Sequence, residues 1–266
     1  MTGKVWIGCS GWIYSDWNGT FYPRGTRDYL EYYSSLFNTV EINSTFYAQI
    51  PRATILSWIR RTGSRDFKFS IKAPSALTHE KMLDSPDEAI EEFEDFLSLE
   101  IEPLKQAGKL AAVLLQFPPF FGEREFRSNL DTFAHIGGSK LPVFAELRDR
   151  NLLKERSEWL RSNGIGIVAV DSPDYPLSLF HEDSQYFRFH GRNSKDWNSR
   201  NGMEKYRYNY SNEELSHLFE SVSRSLANHD QIFIYFNNHP GGNGPRNALA
   251  MSSFLAGSGS VQGRIY

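Results

Sequence analysis

The heptapeptide YFRFHGR (186–192) sets Phe187 and Phe189 in alternation with Arg188 and His190, then closes on Gly191 and Arg192. A period of two is the mark of a strand whose faces meet different surroundings. One face is built to pack against apolar neighbours. The other carries ionisable groups, which are costly to bury unless they pair, bind a ligand or meet water. The inside of a parallel β/α barrel, near the ends of its strands, offers all three.

The rest of the chain supplies the partners for such a strand. Seven more short runs rich in β-branched or aromatic residues stand out: VWIGCS (5–10), TVEIN (39–43), FKFSIK (67–72), AAVLLQF (111–117), PVFAELR (142–148), IGIVAVD (165–171) and QIFIYFNN (231–238). Most intervals between them can hold a helix. Ser85-Pro86-Asp87-Glu88 reads as a helix start with Ser as cap and Pro at the first position, followed by Phe93, Phe96, Leu97 and Ile101 at helical spacing and Gly108 at the end. Residues 151–164 place Leu152, Leu153, Trp159 and Leu160 on one face, and residues 211–229 open with a capping box at Ser211 and Glu214. Strand alternating with helix eight times predicts an α/β fold, a single TIM (β/α)8 barrel over residues 1–266. The four irregular stretches, after strands 1, 3, 6 and 7, all follow strands and are expected on the catalytic face.

Composition agrees and excludes several classes. The 266 residues are 40% hydrophobic and 23% charged, and a barrel of this type takes about 250 residues. A net charge of −3 argues against a nonspecific nucleic-acid binder, which carries a basic excess. No apolar run reaches the roughly 18 residues of a membrane span, and MTGKVWIGCSGW enters a strand at once, unlike a signal peptide. Cys9 is the only cysteine, which rules out an intrachain disulfide and points to a reducing compartment. The expectation is a cytoplasmic protein.

The motifs GCSGWIYSDWNGTFYP, FNTVEINSTFY, FKFSIKAPSALTH, LLQFPPFF, FAELR, FRFHGR and YFNNHPGGNGPRNA, in that order, resemble the YecE-like family, domain of unknown function 72. The likeness runs from the first strand to the last helix. It implies a TIM barrel and brings no established reaction with it. The family often has Thr at the position of Cys9, so a Cys nucleophile is not what the resemblance implies, and Cys9 reads as a small buried hydrophobe.

Assigning the apolar phase of each strand outward leaves polar residues inward at most strand ends: Glu41 and Asn43, Ser70 and Lys72, Gln116, Glu146 and Arg148, Asp171, Arg188 and His190, and Asn237. Barrel enzymes place their sites at this face. Glu41 and Glu146 are candidate acid and base, since carboxylates in unlike environments hold different protonation states. Asp171 and His190 would assist them, and His190 can shuttle protons near neutral pH. Arg148 and Arg192 suit a carboxylate or phosphate gripped by two nitrogens, with Lys72 adding charge. Gln116, Asn237 and, in the loop after strand 3, His79 complete the polar lining. Trp12 and Tyr14 belong to an aromatic loop that either covers a substrate or packs onto the barrel. The glycines of GGNGP (241–245), with Arg192 and Arg246, form a modest phosphate-binding signal.

Glu41, Glu146, Asp171 and His190 could in principle hold a divalent metal. The basic side chains around them oppose a cation, there is no HExxH, no CxxC and no His pair at ligand spacing along the chain, and a metal is not favoured. The leading expectation is an enzyme on a small polar, anionic substrate, working by acid–base chemistry as a hydrolase, lyase or isomerase. The alternatives are a noncatalytic barrel that binds a ligand or partner, and metal-assisted phosphodiester hydrolysis on a nucleic acid. Substrate, cofactor and oligomeric state are not readable from the sequence.

Overall fold

A computed structural model describes residues 3–175, 177, 184–195 and 203–257. The eight expected runs form β1 (Lys4–Cys9), β2 (Thr39–Ile42), β3 (Lys68–Lys72), β4 (Leu110–Gln116), β5 (Val143–Glu146), β6 (Ile165–Asp171), β7 (Tyr186–Phe189) and β8 (Gln231–Phe236). They lie in one sheet in the order β1-β8-β7-β6-β5-β4-β3-β2, with helices between strands. The paired strands run parallel, and the fold class is that of the TIM (β/α)8 barrel. Among the described residues no helix is long and apolar enough to cross a membrane. The chain forms two compact parts: one holds the residues up to Glu41, Ser64–Phe67 and those from Ala169 on, the other Ile42–Gly63 and Lys68–Val168.

In the first part, β1, β8 and β7 share a register that aligns Ile7 with Ile234 and Phe187, and Cys9 with Phe236 and Phe189. All of these side chains are buried. The alternate rows align Trp6, Phe233 and Tyr186, then Gly8, Tyr235 and Arg188. Beside them β1 meets β2 through a bridge between Ser10 and Glu41, and side chains complete the seam. Asn38 accepts from Ile7 N and donates to Val5 O, both at 2.8 Å, as a neighbouring strand's backbone would. Tyr33, from the helix Tyr29–Leu36, accepts from Cys9 N at 2.6 Å and donates to Thr39 O at 3.1 Å. Gly8 is required here, because a Cβ would lie 2.0 Å from Thr39 O and 2.6 Å from the Tyr33 hydroxyl. The expected capping box is present on the helix Asn212–Asn228: Glu214 N donates to Ser211 Oγ, and Ser211 N to Glu214 Oε2.

The second part contains β3, β4, β5 and the start of β6. Its helix Arg150–Ser162 starts under an Asp149 cap that accepts from Leu152 N at 2.8 Å, and buries Leu152, Leu153 and Leu160 as the spacing predicts. Two expectations are corrected here. The stretch after strand 3, read as irregular, is helical from Ala76 to Asp84. Its turns over Ala76–Lys81 are wide π turns, and Leu77 and Met82, five residues apart, are both fully buried. A period near five escapes a search tuned to 3.6. Ser85 does not cap with its side chain; a 3-10 turn over Pro86–Glu88 leads into the helix Ala89–Phe96. That helix then widens into π turns over Leu97–Ile101, just before Pro103, which has no N–H to continue the ordinary ladder. Phe93, Phe96 and Ile101 are buried as expected, Leu97 is only half-buried, and Glu100, four residues after Phe96, is buried with them.

Candidate functional site

Three groups of strand-end residues gather in the first part. The deepest is centred on Glu41 of β2, which is 0% exposed. Its Oε1 accepts from Ser10 Oγ at 2.6 Å and Arg188 Nη2 at 2.8 Å; its Oε2 accepts from the Tyr186 hydroxyl at 2.6 Å and Arg188 Nε at 3.0 Å. Burial pushes the Glu41 pKa up, but the Arg188 charge and the four donors outweigh it and hold the carboxyl below its usual range. Glu41 is therefore an anion whose lone pairs are occupied. Its geometry is that of a structural counter-ion to Arg188, whereas the sequence suggested an acid or base.

The second group joins the ends of β6 and β7. Arg192 holds Asp171 with two bonds, Nε to Oδ2 at 2.9 Å and Nη2 to Oδ1 at 2.8 Å, while the Tyr210 hydroxyl donates to Oδ2 at 2.8 Å. Tyr210 also accepts from Gly191 N at 2.8 Å, so it ties the turn after β7 to the same carboxylate. Arg192 reaches Glu214 as well, at 3.3 Å. A guanidinium committed in this way grips a protein carboxylate in the manner expected of it toward a substrate.

The third group stands at the ends of β7 and β8 and contains the imidazoles. Asn237 Nδ2 donates to His190 Nδ1 at 2.9 Å, which places the proton of neutral His190 on Nε2. Asn237 O accepts from His239 Nδ1 at 3.0 Å, which leaves Nε2 of His239 with a lone pair and, among the described residues, no donor. Burial keeps the His239 pKa below its ordinary value against the opposing pull of the Asn237 carbonyl and Asp16. One asparagine thus orients two imidazoles in opposite tautomers. The Tyr206 ring lies 5.8 Å from His190 and 5.6 Å from His239, and Tyr14 stacks on His239 at 4.4 Å.

The aromatic loop after β1 packs inward. Trp12 and Trp17 are buried, and Trp17 Nε1 donates to His239 O at 2.8 Å. Tyr14 is half-buried and reaches the Ser10 carbonyl. Gly241 N, within the glycines read as a phosphate signal, donates to the Asp16 carboxylate at 2.6 Å. An anion does sit on that turn, and it is the protein's own. Cys9 is fully buried, with its thiol pKa pushed up by burial, consistent with a small hydrophobe.

In the second part, Glu146 is fully buried and pairs with Arg148. Gln116, half-buried, lies opposite Glu146 in the β4–β5 register. Lys72 is buried with its ammonium over the Phe46 ring at 3.5 Å, a cation–π contact. His79 meets the same ring edge-on at 4.9 Å and Thr78 Oγ1 at 2.9 Å. Burial, helped by the charge of Lys72, pushes the His79 pKa down to about 4. Among the described residues no three His, Cys, Asp or Glu side chains come together as a metal site would require.

Sequence reasoning missed His239, Tyr206, Tyr210 and Tyr186. His239 stands two residues past the inward Asn237, in the motif already quoted, and continuing that alternation would have found it. The tyrosines carried no signal, because a ring that fills space and a hydroxyl that ties a carboxylate read alike in a sequence.

Residues 6–263 match the family model described as protein of unknown function DUF72. The chain is 27% identical over 270 residues to the UPF0759 protein YunF of Bacillus subtilis, covering 94% of each. Among solved structures, a DUF72 family protein from Thermotoga maritima superposes with a TM-score of 0.81 at 32% identity, over 95% of this chain and 99% of that one. One from Enterococcus faecalis gives a TM-score of 0.76 at 26% identity over 95% of each. With nearly its whole length matched in sequence and in fold, the chain belongs to the DUF72 family.

Proposed function

We propose that this protein is an enzyme acting on a small polar, anionic substrate by acid–base chemistry at the C-terminal ends of its strands. The observation that carries this reading is the pair of imidazoles bound to Asn237 in opposite tautomers. His190 offers an Nε2 proton and serves as the general acid. His239, kept neutral by its low pKa, offers an Nε2 lone pair and serves as the general base. Asn237 is the positioning residue for both. The three Arg–carboxylate pairs hold the frame: Glu41 with Arg188, Asp171 with Arg192, and Glu146 with Arg148. With a single cysteine, the reading places the activity in the reducing cytoplasm.

The test begins with a library of phosphorylated and carboxylated metabolites screened by thermal shift, since a ligand that binds the native state stabilises it by mass action. Hits are then incubated with the protein and products sought by mass spectrometry. For a substrate so found, His190→Gln should lower kcat by at least about 100-fold, the usual reach of one acid–base group. Normal turnover by that variant would remove His190 from the mechanism. A second reading, a noncatalytic ligand-binding barrel, is favoured by the mutual pairing of the strand-end charges. It predicts hits that stabilise the protein and are recovered unchanged.

A further inference from the structure

The second part contains a cavity of about 250 Å³ that uses none of the residues proposed for proton transfer. Its walls come from the segment after β2 (Phe46 and Tyr47), the segment after β3 (Pro74) and the helix that carries Phe96, Leu99 and Glu100. At ~30 Å³ for each water, the space suits a small organic molecule. Glu92, Asp95 and Glu100 are its charged lining, and no Lys, Arg or His lines it.

Glu100 is the distinctive group. It is 2% exposed, and Ile50 N donates to its Oε1 at 2.5 Å, while Oε2 has no hydrogen-bond partner among the described residues. Glu100 stands four residues after Phe96 and seven after Phe93, on their buried face, where the helix passes into π turns over Leu97–Ile101. Such wide turns recur at functional sites, and this position carries a carboxyl where its neighbours on the buried face, Phe93 and Phe96, are apolar. A buried carboxylate with one oxygen unpartnered is costly by itself and is stabilised by a cation. The walls select the kind of cation. A hard metal ion asks for six or more oxygens, whereas Phe46, Pro74, Phe96 and Leu99 offer carbon. Tyr47 and Leu99, 83% and 43% exposed, place apolar surface at the rim.

We propose that this cavity binds a small organic ammonium ion, with the charged head on Glu100 and an apolar body along Phe46, Phe96 and Leu99. Asp95 and Glu92 add negative charge from the preceding turns of the same helix. Burial pushes the Glu100 pKa up to about 7, with only the Ile50 N–H pulling it down, and burial together with Asp95 raises that of Glu92. Lys72 and His79 contact Phe46 and do not line the cavity. Tyr47 is the remaining titratable group on its walls.

Phenethylamine is the probe, titrated into the intact chain by calorimetry and by amide NMR, with phenethyl alcohol as its neutral counterpart. The expected result is saturable binding of the amine, with shifts at residues 46–49 and 96–100, and none of the alcohol. Binding should be about tenfold tighter at pH 8 than at pH 6, in proportion to the ionised fraction of a group titrating near 7. Glu100→Gln keeps the acceptor for Ile50 N and should weaken binding at least tenfold. Leu99→Arg, at the exposed rim, blocks the entrance without touching the interior and should abolish binding. Absence of saturable binding, equal binding of amine and alcohol, or an affinity indifferent to both substitutions would overturn the proposal.

Discussion

Both parts of the molecule bury glutamates, and Glu41 of the first and Glu100 of the second behave oppositely. Glu41 is 0% exposed and Glu100 2%, so loss of water raises the pKa of both. Glu41 meets four donors, two of them on a guanidinium, and its pKa falls below the ordinary value. Glu100 meets a single backbone N–H, and its pKa rises to about 7. Burial sets the cost of charge; the number and charge of the donors decide whether the group stays ionised. Glu41 is thereby a fixed anion that holds the frame, and Glu100 a group whose charge can be changed near neutral pH.

The contrast breaks most severely at Arg188. Arg188→Met leaves Glu41 buried without its counter-charge, and the loss expected is about 3–5 kcal/mol in urea unfolding at pH 7. A variant as stable as the parent would show that Glu41 takes up a proton at little cost. The mirror experiment is the pH dependence of Glu100. Its folded pKa lies above the unfolded value of about 4.3, so the folded state binds the extra proton between the two. Stability from this group is present below pH 4 and is lost as pH rises through 7, by roughly 4 kcal/mol at about 1.4 kcal/mol for each unit of pKa. Glu100→Gln should match the parent at pH 4 and exceed it at pH 8, measured by urea unfolding across that range. Glu41 has the opposite sign: its contribution is present at neutral pH and lost as pH falls below the ordinary carboxylate range. The smallest of these effects is expected from Tyr186→Phe, which removes one of the four donors to Glu41 at a cost of about 1.5–3 kcal/mol. It should also raise the Glu41 pKa, which carboxyl carbon NMR would read directly.

Particular elements show how far residues alone reach. Every strand was legible, because β-branched and aromatic runs bounded by turn residues leave few other local solutions. The capping box at Ser211 and Glu214 was legible for the same reason: it is a local device. The helical stretch Ala76–Asp84 was not, since π turns change the period that the pattern is read with; nor was the burial of Glu100, because a carboxyl on the apolar face of a helix carries no local sign of being enclosed. Among candidate site residues, the polar character of the strand ends was legible, yet the roles assigned to them were guesses about partners. Glu41 looked like an acid or base until Arg188, 147 residues away, took its oxygens. Arg192 looked like an anion clamp, and Asp171 is the anion it holds beside Tyr210.

The sequence by itself determined the alternation of strands and helices, the barrel that follows from it, and the gathering of polar groups at the strand ends. These depend on periodicity and on turn and cap chemistry, which act over a few residues. Tertiary structure alone decided which charge meets which, which nitrogen of His190 and His239 carries the proton, and that Glu41 rather than Glu100 is held ionised. Those properties depend on donors brought from distant strands to within hydrogen-bonding distance, and electrostatic interactions at that range outweigh anything a residue's immediate neighbours dictate.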